Sequence, residues 1–408
     1  MGKRIVIIGG GAAGLMAAGI AGENRNEVIL LEKNSRPARK VMITGKGRCN
    51  VTNNTNVEGL IKAVNKNGKF LYSAFSDFSS EDTINFFESR GVELKTERGN
   101  RVFPCSDKAV DIVDALVEYA KENSTIINSV AAEIVVKDNM VVGVKDENGQ
   151  VYDCDAVILA TGGLSYPTTG STGDGYRMAS ELGHTVTKLK PSLVGVECAE
   201  GFCTRLQGLS LKNISIKVFK ENDKKQIYSD FGELLFTHFG ISGPTVLSAS
   251  AKMTDLPETK YKVVIDLKPA LSFDELDNRI LRDFGANINK DFQNSLDELL
   301  PRKLIPIIVS LSKIPPNIKV NQISKEHRTT LVNLLKNLTV TVTDFRPIEE
   351  AVITSGGISL KEVNPKTMQS KLIDGLYFAG EILDLDACTG GFNLQIAFST
   401  GYVAGKSI

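Results

Sequence analysis

Apolar residues follow three rhythms along this chain. At the start, Ile5-Val6-Ile7-Ile8 and Val28-Ile29-Leu30-Leu31 are unbroken runs that flank an alanine-rich stretch from Ala12 to Ala21. A parallel strand covered on both faces reads as a continuous apolar run, so the segment predicts strand, helix, strand. Residues 57–122 shift to helical spacing. Ser79 or Ser80 caps a helix through Glu88 that Gly91 closes, and Asp107 to Asn123 places Val110, Val113, Leu116 and Val117 on one face. Between them Arg101-Val102-Phe103-Pro104 reads as extended. From Thr125 the period falls to two: Ile126 to Val130, Met140 to Val144 and Gln150 to Tyr152 predict a three-strand meander, with Asp146 to Gly149 as a hairpin turn.

A buried strand, Ala156 to Leu159, comes next. Residues 191–270 are β-rich, with alternation at Ile214 to Val218 and Lys262 to Leu267. Residues 271–337 return to helix behind a Ser272–Glu275 capping box, broken by Pro301, Pro306, Pro315 and Pro316. Strands resume over 339–362. A last strand ends at Gly380-Glu381, before a small-residue helix that runs to Gly405.

The glycines change this picture from architecture to chemistry. In Gly9-Gly10-Gly11-Ala12-Ala13-Gly14, Gly9 permits a sharp turn off the strand, Gly11 lets backbone approach a pyrophosphate, and Gly14 lets helix pack on sheet. Phosphates would sit on the helix N-terminus, where free N–H groups and the positive dipole end converge. Glu32, beside Lys33, can accept hydrogen bonds from a ribose diol and disfavours a 2′-phosphate, which argues against NADP. Ala160-Thr161-Gly162-Gly163 is a second strand end where backbone can come close to a ligand, and Gly380-Glu381 is a third. The loop Arg39 to Asn53 has neither period. It could wrap a cofactor or be a solvated basic connection.

Composition narrows the partners. The 48 Lys plus Arg balance 48 Asp plus Glu, so nothing favours nucleic acid. No apolar run reaches the ~18 residues of a membrane span. Met-Gly-Lys-Arg leads straight into a core strand, with Val6 where a myristoylation signal has Ser or Thr; the expectation is a cytoplasmic protein. Six cysteines without a C-x-x-C and three scattered histidines predict neither a redox dithiol nor a metal site.

Three elements in this order, the first glycine turn with Glu32, Ala160 to Gly163, and Gly380-Glu381 before a final helix, resemble the FAD flavoproteins with two dinucleotide-binding domains. Thr44-Gly45-Lys46-Gly47-Arg48-Cys49-Asn50, Ser165-Tyr166-Pro167, Thr237 to Pro244, Pro365 to Met368 and Gly390-Gly391-Phe392-Asn393-Leu394-Gln395 are similar to the HI0933-like flavoproteins, a group that includes proteins called aminoacetone oxidase and bile-acid reductase. The resemblance implies an α/β fold: a Rossmann-like FAD-binding domain of glutathione-reductase type (1–190 plus 364–408), an inserted β-barrel-like domain (191–270 plus 338–363) and a helical subdomain (271–337). It places Ala12 and Ala13 on the pyrophosphate, Glu32 on the adenosine ribose and the Val130 backbone on the adenine. Arg39, Lys40 and Thr44, Gly45, Gly47, Arg48, Cys49 and Asn50 would line the cofactor. Glu381 would meet a ribityl hydroxyl, and the Asn393 and Leu394 N–H groups the flavin pyrimidine edge.

The implied activity is an FAD-dependent oxidoreductase passing hydride between a small organic substrate and flavin N5. Only one dinucleotide fingerprint is visible, so NAD(P)H and molecular oxygen are both open as redox partners. No residue reads as a general base; Tyr166, His238 and Cys49 are the candidates. Two rival readings are an NAD-dependent dehydrogenase, which predicts a colourless protein, and a non-catalytic flavin-binding sensor, which predicts bound flavin that no small donor reduces.

Overall fold

A computed structural model describes residues 2–408, which divide into two compact units: residues 2–192 with 347–408, and residues 193–346. The first unit is built on a five-stranded parallel sheet. Its order is Leu376–Phe378, Ala156–Leu159, Arg4–Ile8, Glu27–Glu32, Thr125–Asn128. Ile5 to Ile8 pair with Ala156 to Leu159 on one side and with Val28 to Leu31 on the other. The unbroken apolar runs therefore occupy the middle of the sheet, buried on both faces.

The opening helix, Ala12–Glu23, is buried along most of its length. Its small side chains let two other helices close on it. A Cβ at Gly19 would lie 2.1 Å from the Tyr119 ring of helix Ala109–Asn123. One at Gly401 in the closing helix, Phe392–Lys406, would lie 2.4 Å from the Ala13 carbonyl. Larger residues at either position would push the helices apart.

Two sequence expectations fail here. Thr125–Asn128 does not open the meander; it pairs in parallel with Ile29 to Glu32 as the edge of the main sheet. The meander is instead Ala131–Lys137, Met140–Asp146 and Val151–Asp153, turned at Asp146, whose carboxylate accepts from the Asn148 and Gln150 N–H groups. Period-two alternation is common to both strands and cannot say which sheet a strand joins. The second crossing between units falls at Arg346/Pro347, not at 363/364. Ile353–Ser355 pairs antiparallel with Lys190–Ser192 inside the first unit, so the strand-like stretch 339–362 is split between the two.

The second unit is a closed six-stranded barrel: Val196–Cys198, Gly240–Ser242, Gln226–Phe236, Ser210–Lys220, Tyr261–Asp266, Leu338–Phe345. The helices Phe273–Gly285, Ile305–Ser312 and Lys325–Lys336 share one hydrophobic core with its strands, through Leu276, Ile280, Ile308, Leu331 and Leu335. The predicted capping box is present: Ser272 Oγ accepts from Glu275 N–H, and the Glu275 carboxylate accepts from Ser272 N–H at 2.8 Å. No helix among the described residues is long and apolar enough to cross a membrane.

Candidate functional site

The carboxyl ends of the parallel strands open into a cleft of about 1230 Å³, counting its open mouth. In an open parallel sheet this is where ligands bind. Gly9 leaves the first strand at φ 103°, and a Cβ there would lie 2.7 Å from the Ala160 carbonyl. A Cβ on Gly14 would lie 1.9 Å from the Gly9 carbonyl, so the turn folds only with glycine at both places. Gly11 is different. A Cβ there would meet nothing within 4 Å, because the residue faces the open cleft. No side chain caps the helix that follows, and Ala12 and Ala13 line the cleft at its bare N-terminus.

Glu32 is buried and fixed by that turn. Its Oε2 accepts from Gly10 N–H at 2.7 Å, and its Oε1 accepts from Asn34 N–H and Asn34 Nδ2 at 2.7 and 2.6 Å. An ionised carboxylate has about four lone-pair positions, so one acceptor position remains. Lys33 reaches the loop after the second glycine turn, pairing with Asp174 at 2.7 Å and with the Thr172 hydroxyl.

Glu381 holds the other side of the cleft. Its Oε2 accepts from Lys40 Nζ at 2.6 Å, and its Oε1 accepts from Ser165 Oγ at 2.8 Å and Thr354 N–H at 2.9 Å. Lys40 also donates to Ser165 Oγ at 2.6 Å. Residues distant in sequence thus set this carboxylate before any ligand arrives.

Of the residues expected at a cofactor, Gly9, Gly11, Ala12, Ala13, Glu32, Lys33, Arg39, Lys40, Thr44, Val130, Ala160, Thr161, Gly162, Gly380, Glu381, Asn393 and Leu394 line this cleft. Gly14 and Gly163 do not; they lie against backbone and side chains behind it. Gly45, Gly47, Arg48, Cys49 and Asn50 also fall outside. Arg48 turns outward, stacked 4.1 Å from the Phe103 ring centroid and paired with Glu97 and with Asp107 at 2.6 Å. Cys49 is fully buried, and burial pushes its thiol up to about 12, against a smaller opposing effect of Thr44. A thiol so placed is a poor nucleophile.

Tyr166 is half-buried at φ 51°, outside the cleft lining. His238 is exposed in the barrel unit, its ring edge-on to Phe239. Sequence reasoning missed Asn34, Ala38, Met178, Val352 and Ile353. Thr169, Gly170, Ser171 and Thr172, a polar glycine-rich loop, also line the cleft without having been assigned to it. Val352 and Ile353 reach the cleft because their strand belongs to this unit rather than to the barrel.

The cleft's own chemistry fits a dinucleotide. Thr161 lines the cleft at the second strand end, but its Oγ1 is shielded from it, buried against Gly175 with no hydrogen-bond partner among the described residues. Two uncapped helix N-termini, at Ala12 and at Phe392, present N–H groups with positive dipole ends to the same space. Such helix ends suit an anionic, hydrogen-bonding ligand.

The family model for the HI0933-like protein Rossmann domain matches residues 3–407. The chain belongs to the HI0933-like family. It is 32% identical to a 3-dehydro-bile acid delta(4,6)-reductase of Clostridium scindens, over 99% of this chain and 98% of that protein. It is 30% identical to a ribosomal RNA dihydrouridine synthase of Haemophilus influenzae, over 99% and 98%. The protein of the same name from Escherichia coli is 28% identical over 99% and 97%. In fold it is similar to the 3-ketosteroid-delta4-(5alpha)-dehydrogenase of Rhodococcus jostii, with TM-score 0.52 and 14% identity over 99% of this chain and 96% of that one. As a member of the HI0933-like family, the protein is an enzyme of the oxidoreductase class.

Proposed function

We propose that this HI0933-like protein binds FAD in the cleft and reduces a carbon–carbon double bond conjugated to a carbonyl. The observation that carries the reading is the cleft's triple junction of Gly9–Gly14, Ala160–Gly162 and Gly380–Glu381, with a bare helix N-terminus at each end. The relatives supply the reaction class. One is named for reducing delta(4,6) bonds of a 3-dehydro bile acid, the others for making dihydrouridine. In both substrates the double bond is polarised by a carbonyl, so hydride adds at the β-carbon and a proton at the α-carbon.

When bound, the flavin supplies the hydride from N5. The protein's part is binding and orientation. Ala12 and Ala13 N–H groups would take the pyrophosphate, the remaining acceptor position of Glu32 the adenosine ribose, and Val130 the adenine. Glu381, already set by Lys40, Ser165 and Thr354, would take a ribityl hydroxyl. Asn393 and Leu394 N–H groups would face the flavin pyrimidine edge and favour its reduced, anionic form.

A small unsaturated ketone is the favoured substrate, because the balanced charge of the chain offers no surplus for a phosphate backbone. Two relatives favour a second reading, uridine within ribosomal RNA. The test is the visible spectrum of purified protein, followed anaerobically with NADH and then NADPH. The reduced protein is then divided between a 3-oxo-4-ene steroid and a uridine-rich RNA. Bound flavin reoxidised by either acceptor supports the reaction class and names its substrate. A colourless protein that stays colourless after incubation with FAD removes the proposal.

A further inference from the structure

The loop residues that miss the cleft have another task. The closing helix starts at Phe392 on Gly391, and the segment before it is held from three directions. With its amide turned so that the nitrogen donates to Val102 O and Thr52 O, both at 3.1 Å, Asn50 accepts from Gly391 N–H at 3.1 Å. Asn53 Nδ2 donates to Gly390 O at 3.1 Å and to Gly99 O at 3.0 Å. Gln395, fully buried one turn into the helix, accepts on Oε1 from Thr52 Oγ1 at 2.5 Å and Thr83 Oγ1 at 2.9 Å. Its Nε2 donates to the Phe78 and Ser79 carbonyls, both at 3.1 Å, and to Ser399 Oγ at 2.9 Å.

No space is left for adjustment. Gly391 sits at φ 95°, and a Cβ on it would lie 2.4 Å from the Thr52 carbonyl. The Asn393 side chain is spent on Ala387, accepting from its N–H at 2.9 Å and donating to its carbonyl at 3.0 Å. What Asn393 and Leu394 offer the cleft from this end is therefore backbone N–H, with no side chain capping it.

We propose that Asn50, Asn53 and Gln395 are positioning residues: they lock Gly390 to Leu394 so that the helix N–H groups stay aimed into the cleft, and so raise the reduction potential of the flavin bound there. The proposal rests on the FAD reading above. A preorganised donor set stabilises charge that develops on reduction, because it need not reorganise. A helix end free to shift by a few tenths of an ångström would favour oxidised and reduced flavin more equally. The motif Gly45 to Asn50 would then act on the cofactor through the helix, without touching it.

The test compares Asn50→Ala and Asn53→Ala with the unaltered protein and with Glu97→Gln, which loosens the outward Arg48 pair on the same loop. Flavin midpoint potentials are measured on each holoprotein, and hydrogen exchange at residues 390–395 on each flavin-free protein. The expected result is faster exchange in both Asn variants and a preference for reduced over oxidised flavin that falls about tenfold, close to 30 mV for a two-electron couple. Glu97→Gln should match the unaltered protein in both. Faster exchange with an unchanged potential would overturn the proposal, leaving a purely structural clamp, as would unchanged exchange. The two Asn variants differ in burial, so whichever folds decides the matter. An unaltered protein that takes up no flavin would instead remove the FAD reading itself.

Discussion

Two helices point bare N-termini into one cleft, and they are held there by opposite means. The opening helix, Ala12–Glu23, is aimed chiefly by its own turn: Gly14 lies against the Gly9 carbonyl, and Ala160 and Glu32, at the ends of the adjoining strands, close on the six residues from Gly9 to Gly14. The closing helix, Phe392–Lys406, is aimed by residues more than three hundred positions away, Asn50, Thr52, Asn53, Phe78 and Thr83. One helix end is thus encoded locally and the other by the tertiary fold. A local device can be read in sequence and tolerates change elsewhere, whereas a distributed one ties cofactor chemistry to the packing of a distant loop.

The largest expected effect lies in the local device. Gly14→Val puts a side chain where a Cβ alone would come within 1.9 Å of the Gly9 carbonyl. Soluble, folded protein should be lost, as read by yield and far-ultraviolet circular dichroism. A folded Gly14→Val protein would show that the turn is not the rigid element described here.

In the distributed device the matching change is Gln395→Leu. It removes five hydrogen bonds from a buried cluster whose three hydroxyls and two carbonyls each keep at least one other partner, so the loss should be about 3 kcal/mol, or roughly 6–12 °C in melting temperature. The melt should fall while the dichroism spectrum at low temperature stays native.

Gly11→Ala separates binding from folding. Its new methyl meets nothing within 4 Å, so stability should move by less than about 0.5 kcal/mol. Flavin affinity should nevertheless drop roughly tenfold, since the methyl occupies the space a pyrophosphate would need. Fluorescence titration of flavin-free protein reads this directly.

The smallest effect concerns the loop that leads into the clamp. With its thiol near 12, only about one part in ten thousand of Cys49 is thiolate at pH 8. Iodoacetamide should therefore label exposed Cys105 and leave Cys49 untouched until the protein unfolds. The reactive fraction rises tenfold per pH unit below 12, so labelling of Cys49 should remain slow through pH 9. Rapid native labelling there would mean the clamp opens readily.

These contrasts explain what was legible in the sequence. Continuous apolar runs announce buried parallel strands, and a glycine turn between strand and helix announces its ligand, because both are set by neighbours in the chain. The loop Gly45 to Asn50 carried a family motif, which named its importance but not its contacts. Only the fold shows Arg48 facing out, Cys49 buried and Asn50 on Gly391. Likewise, Thr125–Asn128 and Ile353–Ser355 each look like generic strands, and their sheet partners are decided by long-range packing. The carboxylate of Glu381 could be read as a ligand partner, while the Lys40, Ser165 and Thr354 groups that fix it could not.

The most direct test of the account is anaerobic reoxidation. Purified protein is loaded with FAD, reduced with dithionite and mixed with a 3-oxo-4-ene steroid or with uridine-rich RNA while the visible flavin band is followed. The account predicts that the oxidised band returns with one acceptor and that the product has gained two hydrogens across its conjugated double bond. A flavin that stays reduced with both acceptors, yet reoxidises when air is admitted, would contradict it.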